Sequence, residues 1–305
     1  MKRWPIFLSL LFFLLLAFAL LAGGTALDQK QRGWIFQPSN SSWGSSAELA
    51  RDMQDVWINF DSKATGNPVK LHGLWLPADP GHAAWNGAKA PVLLFLHGAR
   101  WNVEGSAPRI RRMQELGFSV LAIDYRGFGK SSPDLPSENM AYEDARAAWD
   151  WLGARHPQQP RYIFGHSLGG AVAIELAAKV DDEAGTIVEG TFTSIADVLG
   201  TMKWGWLPLR ALITQPFDSL EKVAHLGAPL LVVHGANDTL ILPALGRKLY
   251  DAAHEPKAFV LVKGGSHHST NTLGQAQYRV ALATLFGASP TRAVMPLVSP
   301  QLLQP

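Results

Sequence analysis

The strongest constraint on how this chain can fold is the stretch from Arg161 to Ala171, RYIFGHSLGGA. A short run with strand character enters a G-x-S-x-G turn, and a helix-forming run follows it. A serine at the apex of such a strand–turn–helix has a strained backbone, and its hydroxyl is pushed out above the sheet. The flanking glycines are needed because a Cβ atom would collide with the neighbouring strand and helix. The stretch therefore predicts an exposed Ser167; the alternative is a glycine-rich connection with an incidental serine.

From Pro91 onwards, buried strands and helices alternate along the sequence. Continuous apolar runs are expected of strands buried on both faces, and they occur at residues 92–96, 119–123, 161–164, 186–188, 230–233 and 259–262. Helical patterns separate most of them, at residues 142–152, 168–179, 245–253 and 272–286. Upstream, residues 55–60 and 69–76 predict a hairpin. This alternation predicts an α/β fold with a mostly parallel sheet, which binds ligands at the carboxyl ends of its strands.

A serine hydroxyl is a weak nucleophile and requires a base, together with a residue that orients the base. Asp238 is the predicted acid, because it lies in HGAND directly after the run at 230–233. His267 is the predicted base, because it lies in GGSH directly after the run at 259–262, where the glycines let the loop fold over Ser167. Two rivals remain, Glu189 as the acid and His268 as the base, and Asp238 could instead cap the next helix.

An oxyanion formed beside the serine requires two N–H donors. Leu168 follows the serine and begins the helix, so its N–H has no partner within the helix and provides one donor. The second donor is assigned to Ala99, in the loop HGARWN that follows the run at 92–96. The alternative for this loop is a tight glycine turn without a catalytic role.

Taken together, these motifs resemble the α/β-hydrolase superfamily, and most of all its branch of N-terminally anchored α/β-hydrolase-domain proteins. The resemblance rests on His97-Gly98, DYRGFGKS at 124–131, GHSLG at 165–169, EGTFTS at 189–194, HGAND at 234–238 and GGSH at 264–267. The order Ser, Asp, His along the chain is the order in this superfamily. The resemblance implies an α/β-hydrolase fold and a cofactor-independent serine hydrolase that acts on esters or thioesters. Arg100-Trp101 are bulkier than the small residues that often follow His97-Gly98 in this branch.

The chemistry predicted for these residues is a two-step acyl transfer that cleaves carboxylic esters. Ser167 attacks the carbonyl, and water then resolves the acyl-enzyme with His267 as the base. The expected substrate is a small-molecule or lipid acyl ester. Two enzymatic alternatives are an acyl-protein thioesterase of the depalmitoylase kind and a lysophospholipase. From a different class, the domain could be a non-catalytic binding module that has kept the fold.

The first 32 residues form a separate unit. Lys2 and Arg3 precede a nearly unbroken apolar run at residues 6–22. A signal anchor needs about 20 apolar residues to cross the membrane, and this segment supplies them. Positive charges ahead of the run place the N-terminus in the cytosol, so the catalytic domain is predicted on the periplasmic or extracytoplasmic side. The alternative is a cleaved signal peptide and a secreted protein.

The remaining chain divides into a linker, a hydrolase domain and a tail. Residues 33–54 are predicted to be the linker, residues 55–287 the α/β-hydrolase domain, and residues 288–305 a proline-punctuated flexible tail. Residues 195–228 are inserted between two core strands and are predicted to form a small helical cap. The tryptophans and leucines of this insertion could line an acyl pocket, face a bilayer or pack onto the domain.

Composition and motifs argue against several other classes of protein. The net charge of +2 leaves no electrostatic footprint for nucleic acid. The absence of cysteine excludes disulfides, cysteine catalysis and thiolate metal sites. Gly129-Lys130-Ser131 mimics the end of a phosphate-binding loop, but Asp124 stands where that loop requires glycine. The metalloprotease signature H-E-x-x-H does not occur, so no metal is expected.

Overall fold

An eight-stranded sheet organises the part of the chain that the computed structural model describes, residues 23–40, 46–79, 89–202 and 209–288. The strand order is β1-β2-β4-β3-β5-β6-β7-β8. The strands are β1 (Gln54–Asp61), β2 (Pro68–Leu76), β3 (Val92–Leu96), β4 (Ser119–Ile123), β5 (Arg161–His166), β6 (Gly185–Glu189), β7 (Leu230–Gly235) and β8 (Lys257–Val262).

Two directions of pairing divide the sheet. The hairpin β1–β2 is antiparallel, and β2 lies antiparallel to β4. From β4 to β8 every neighbouring pair is parallel, so the carboxyl ends of these six strands lie at one edge. The predicted parallel sheet and the predicted hairpin are both confirmed. The loops that carry the predicted site residues therefore leave the sheet at the same edge.

Helices cover both faces of the sheet. Residues 23–36 are helical and are called α1. The others are α2 (Ser46–Leu49), α3 (Ala107–Glu115), α4 (Glu138–Arg155), α5 (Leu168–Ala177), α6 (Ile195–Gly200), α7 (Ser219–Val223), α8 (Pro243–Ala252), α9 (Thr270–Leu273) and α10 (Gln275–Phe286), with 3₁₀ helices η1 (Val103–Ser106) and η2 (Leu209–Leu212). The central strands feed a separate hydrophobic core on each face: Leu94 packs with α4, α5 and α8, whereas Leu93 and Phe95 pack with α3 and α10.

Helix α3 is not predicted by the sequence pattern. Its sequence, APRIRRMQE, carries three arginines and presents only a narrow apolar stripe, of which Ile110 and Met113 are fully buried. A helix this short and polar lacks the wide apolar face that makes periodicity visible. Its position matters, because it brings Arg109 next to the candidate site.

The predicted signal anchor lies mostly outside the described residues, which begin at 23, and so it stays a prediction. In the chain from 23 to 288, apart from the gaps at 41–45, 80–88 and 203–208, no helix is long and apolar enough to span a bilayer. Helix α1 crosses the predicted boundary between the first unit and the linker. Its last residues pack onto the domain: Ile35 and Phe36 are buried, and the Phe36 ring lies 5.7 Å from Phe217.

The inserted segment between β6 and β7 forms α6, η2 and α7 in its described parts. Phe217 and Val223 are fully buried against the core, so this half of the insertion packs onto the domain. The predicted pocket tryptophans, Trp204 and Trp206, lie outside the described residues, as does the predicted flexible tail from residue 289 onwards. The division into linker, domain, cap and tail stays a prediction.

Candidate active site

Ser167 lies at the turn between β5 and α5, with φ 55° and ψ −121°. A residue with a side chain rarely adopts this backbone, so the turn holds Ser167 under strain. The turn can close this tightly because Gly165 and Gly169 lack side chains. A Cβ on Gly165 would collide with the Gly169 carbonyl, and a Cβ on Gly169 would collide with the Leu96 carbonyl at the end of β3. The predicted strand–turn–helix is confirmed.

Three side chains from three different loops meet above this turn. His267 Nε2 lies 3.0 Å from Ser167 Oγ. On the other side of the ring, His267 Nδ1 lies 2.8 Å from Asp238 Oδ2. Asp238 follows β7, and His267 follows β8, as the sequence predicts. The structure thus places the predicted nucleophile, base and acid in one continuous hydrogen-bonded line.

The environment of Asp238 keeps its carboxylate ionised. Burial alone would raise its pKa, but hydrogen bonds from His234 and His267 and from the amide of Ile241 hold the pKa of Asp238 well below its usual range. Oδ1 also accepts the N–H groups of Leu240 at 3.0 Å and Ile241 at 2.9 Å. An ionised carboxylate can only accept hydrogen bonds. His267 therefore donates through Nδ1, which leaves Nε2 to accept the Ser167 hydroxyl proton.

The two rivals that the sequence leaves open occupy other positions. The Glu189 side chain turns away from His267: Arg109 Nε donates to its Oε1 at 2.9 Å, and the Tyr278 hydroxyl donates to its Oε2 at 2.5 Å. His268 is an exposed neighbour whose ring lies edge-on to the His267 ring at 5.4 Å. Of these candidates, only Asp238 and His267 lie in hydrogen-bonding line with Ser167.

His166 contacts the loop that carries His267. Burial, reinforced by the nearby charge of Arg109, lowers the pKa of His166 well below its usual value, so its ring is neutral. Its Nε2 lies 3.2 Å from the carbonyl oxygen of His267, in position to donate to it. His166 and Arg109 both contact the backbone of the predicted base.

The two predicted oxyanion donors lie in separate segments: Leu168 is at the start of α5, and Ala99 is in the loop after β3. Leu168 begins α5, and in the described chain neither its N–H nor the N–H of Ala99 donates to another protein group. The loop that carries Ala99 approaches the serine closely, since a Cβ on Gly98 would lie 3.1 Å from Ser167 Cβ. The role of Leu168 and Ala99 as oxyanion donors stays a prediction.

The next residue of this loop fastens it to helix α1. Arg100 has φ 82°, a left-handed backbone that is strained for a residue with a side chain. Its N–H donates to the Phe36 carbonyl at 2.9 Å, and its Nε donates to Gln37 Oε1 at 2.9 Å. The C-terminal end of α1 therefore fixes the loop that carries Ala99. The bulky Arg100 noted in the sequence points towards α1, where it makes this contact.

A buried cluster at the end of β4 fixes the far end of the same loop. Asp124 Oδ1 accepts the Val103 N–H at 2.6 Å, and its Oδ2 lies 3.1 Å from His72 Nδ1. His97 Nε2 is 3.7 Å from Asp124 Oδ1, and burial lowers the pKa of His97. Asp124, which stands where a phosphate-binding loop would require glycine, thus anchors the loop that carries Ala99. Across the described ranges, no group of acidic residues and histidines is arranged to hold a metal ion.

Comparison with known proteins gives a consistent assignment. The family model described as "Serine aminopeptidase, S33" matches residues 87–217. An uncharacterized protein of Mycobacterium tuberculosis is 35% identical over 259 residues, which cover 84% of this chain and 87% of that protein. A lysophosphatidylserine lipase of Danio rerio is 32% identical over 209 residues, covering 61% of this chain and 54% of the lipase. The chain thus spans about half the length of that lipase.

The fold agrees with solved hydrolase structures. An esterase of Pyrococcus furiosus superposes with a TM-score of 0.61 at 20% identity, covering 82% of this chain and 97% of the esterase. At this identity the likeness concerns the fold alone. The match to the mycobacterial protein extends over most of both chains, and the family model covers the serine turn. Together with the shared fold, these two matches establish the superfamily. The chain belongs to the α/β-hydrolase superfamily and is a hydrolase.

Proposed function

We propose that this protein is a serine esterase that cleaves carboxylic esters of lipid-like substrates through an acyl-enzyme. The observation that carries the proposal is a chain of two hydrogen bonds through the His267 ring. Its Nε2 lies 3.0 Å from Ser167 Oγ, and its Nδ1 lies 2.8 Å from Asp238 Oδ2. A serine with a base in hydrogen-bonding reach, and a carboxylate that orients the base, is the arrangement that nucleophilic acyl transfer needs.

In the proposed mechanism, His267 Nε2 removes the proton from Ser167 as its oxygen attacks the ester carbonyl. The ionised Asp238 holds the ring in the required tautomer and stabilises the imidazolium that forms. The N–H groups of Leu168 and Ala99 stabilise the oxyanion of the tetrahedral intermediate. His267 then protonates the leaving alcohol, and in the second half-reaction it activates the water that releases the acid.

An apolar cavity between α1 and the inserted segment supports an acyl chain as the part of the substrate that is bound. It has a volume of about 260 Å³ and is walled by α1 on one side and by the inserted segment on the other. Its apolar lining includes Leu27, Trp34, Ile35, Leu199, Leu212 and Ile213. Both walls of the cavity are joined through neighbouring residues to the candidate site. On the α1 side, the carbonyl of Phe36, next to Ile35, holds the loop that carries Ala99. On the other side, Ile195 follows the segment in which the Thr191 hydroxyl donates to the Ser167 carbonyl. Apolar concave surfaces next to a few polar groups are typical ligand sites.

A lysophospholipid is the lipid ester that we propose first, because the Danio rerio relative is a lysophosphatidylserine lipase. The test is turnover of matched substrates: a lysophospholipid, a simple oxygen ester, its thioester and an N-terminal peptide amide. The proposal expects the oxygen esters to give the highest kcat/KM. A thioester preference would favour the acyl-protein thioesterase, an amide preference would favour a peptidase, and no turnover of any would favour a binding module.

Narrowing the cavity is expected to change acyl-chain preference. Leu199 lines the cavity and is half-buried, so Leu199→Trp fills space that a long chain would occupy. The ratio of kcat/KM for a twelve-carbon ester to that for a four-carbon ester should fall by about 10-fold or more, since each buried methylene contributes about 0.8 kcal/mol. Val280→Trp, at an exposed position on α10, is the matched control and should leave the ratio unchanged. An unchanged ratio in Leu199→Trp would remove the cavity from substrate binding.

A further inference from the structure

Arg109 joins two parts of the site that are far apart in the sequence. Its Nε donates to Glu189 Oε1 at 2.9 Å, at the end of β6. Its Nη2 donates to the carbonyl oxygen of His267 at 3.2 Å and to that of His268 at 3.3 Å. One guanidinium on α3 thus connects the end of a central strand to the loop that carries the proposed base.

Glu189 is held from its other side as well. Its carboxylate is fully buried, and the hydroxyl of Tyr278 on α10 donates to Oε2 at 2.5 Å. Burial, and after it the charge of Glu189, raises the pKa of Tyr278 well above its usual value, so the hydroxyl keeps its proton and remains a donor. With both oxygens engaged, the carboxylate fixes the orientation of the Arg109 guanidinium.

The same elements hold the proposed nucleophile. The Glu189 carbonyl accepts the N–H of Ser167 at 2.9 Å, and His166 Nε2 lies 3.2 Å from the His267 carbonyl that Arg109 also contacts. Glu189 therefore holds the backbone of the proposed nucleophile by a hydrogen bond, and Arg109 holds the backbone of the proposed base in the same way. The salt bridge between Glu189 and Arg109 links the two.

We infer that Arg109 is a positioning residue: its guanidinium, oriented by Glu189 and Tyr278, holds the His267 backbone so that Nε2 meets Ser167 Oγ. The inference rests on the proposed function, because it concerns the same acyl transfer. Arginine suits this position because its rigid fork presents donors in two directions, whereas lysine has a single flexible nitrogen. A misplacement of about 1 Å in a reacting group can lower a rate by about 10²-fold.

The experiment measures ester hydrolysis by Arg109→Met, by the double variant Arg109→Met/Glu189→Gln and by Arg112→Met. Arg109→Met should lower kcat by about 10²-fold and change KM by less than about threefold, because geometry is lost and binding surface is kept. Arg112 lies three residues further along α3 and donates to the Pro108 carbonyl of its own helix. Arg112→Met is therefore the matched control and should keep kcat within about twofold.

The double variant separates positioning from stability. Arg109→Met leaves the Glu189 carboxylate buried without its cation, which destabilises the fold. Glu189→Gln removes that charge and retains an acceptor for Tyr278, so the double variant should unfold at a higher temperature than Arg109→Met while its kcat stays low. Recovery of kcat in the double variant, or an unchanged kcat in Arg109→Met, would overturn the positioning role. If neither the intact protein nor Arg112→Met hydrolyses any ester, the proposed function fails. That outcome is distinguishable from failure of the positioning role, in which the intact protein remains active.

Discussion

Replacing Ser167 with alanine is expected to lower kcat for ester hydrolysis by about 10⁴- to 10⁶-fold, the range seen when a triad nucleophile is removed. The substitution deletes the atom that forms the acyl-enzyme and leaves the base without a proton to remove. KM should change little, because the cavity and the oxyanion amides stay in place. Steady-state hydrolysis of a chromogenic ester, followed beside thermal unfolding, measures both effects.

Ser266→Ala is the control for this result. Ser266 precedes the proposed base in the same loop, and its hydroxyl pairs with Ser269 Oγ at 2.9 Å, away from the line that joins Ser167 and His267. Its loss should leave kcat within about tenfold of the intact protein. If a folded Ser167→Ala protein kept more than a tenth of the intact activity, a different residue would have to form the acyl-enzyme.

The second large effect is expected from His267→Ala, which should lower kcat by about 10⁴- to 10⁶-fold, because the serine hydroxyl then has no base. The adjacent His268 offers a control that differs by one position. The His268 side chain is exposed, and Arg109 donates to the His268 backbone carbonyl, which alanine would keep. His268→Ala should therefore retain kcat within about threefold. The pair is compared in one hydrolysis assay at pH 8. Equal losses in both variants, or the larger loss in His268→Ala, would contradict the assignment of the base.

The fold and the serine turn could be predicted because both depend on local sequence. The five residues of β3 form an unbroken apolar run and are all fully buried, as a strand covered on both faces requires. At the turn, Gly165 and Gly169 are needed because the backbones approach closely. Since both glycines lie within the motif itself, this requirement is visible in the local sequence. The placement of Asp238 and His267 near Ser167 could be predicted for a related reason: each directly follows a predicted strand, and parallel strands end at one edge.

Contacts between distant segments could not be predicted in the same way. Arg109 and Glu189 are 80 positions apart, and nothing in the periodicity of α3 marks Arg109 as different from its neighbouring arginines. The packing of α1 could not be predicted either, because the sequence assigns residues 23–32 to the predicted membrane unit and residues 33–36 to a linker. Only the three-dimensional structure shows that the Phe36 carbonyl accepts the Arg100 N–H and so fixes the loop that carries Ala99.

The most direct test of the central claim, that Ser167 is an activated nucleophile, is covalent labelling with a fluorophosphonate probe. The intact protein and Ser167→Ala are treated in parallel, and the modified peptide is located by mass spectrometry. The account predicts a single adduct on Ser167, formed within minutes, and no adduct in Ser167→Ala. An unlabelled intact protein that is folded and accessible to the probe, or an adduct that persists in Ser167→Ala, would contradict it.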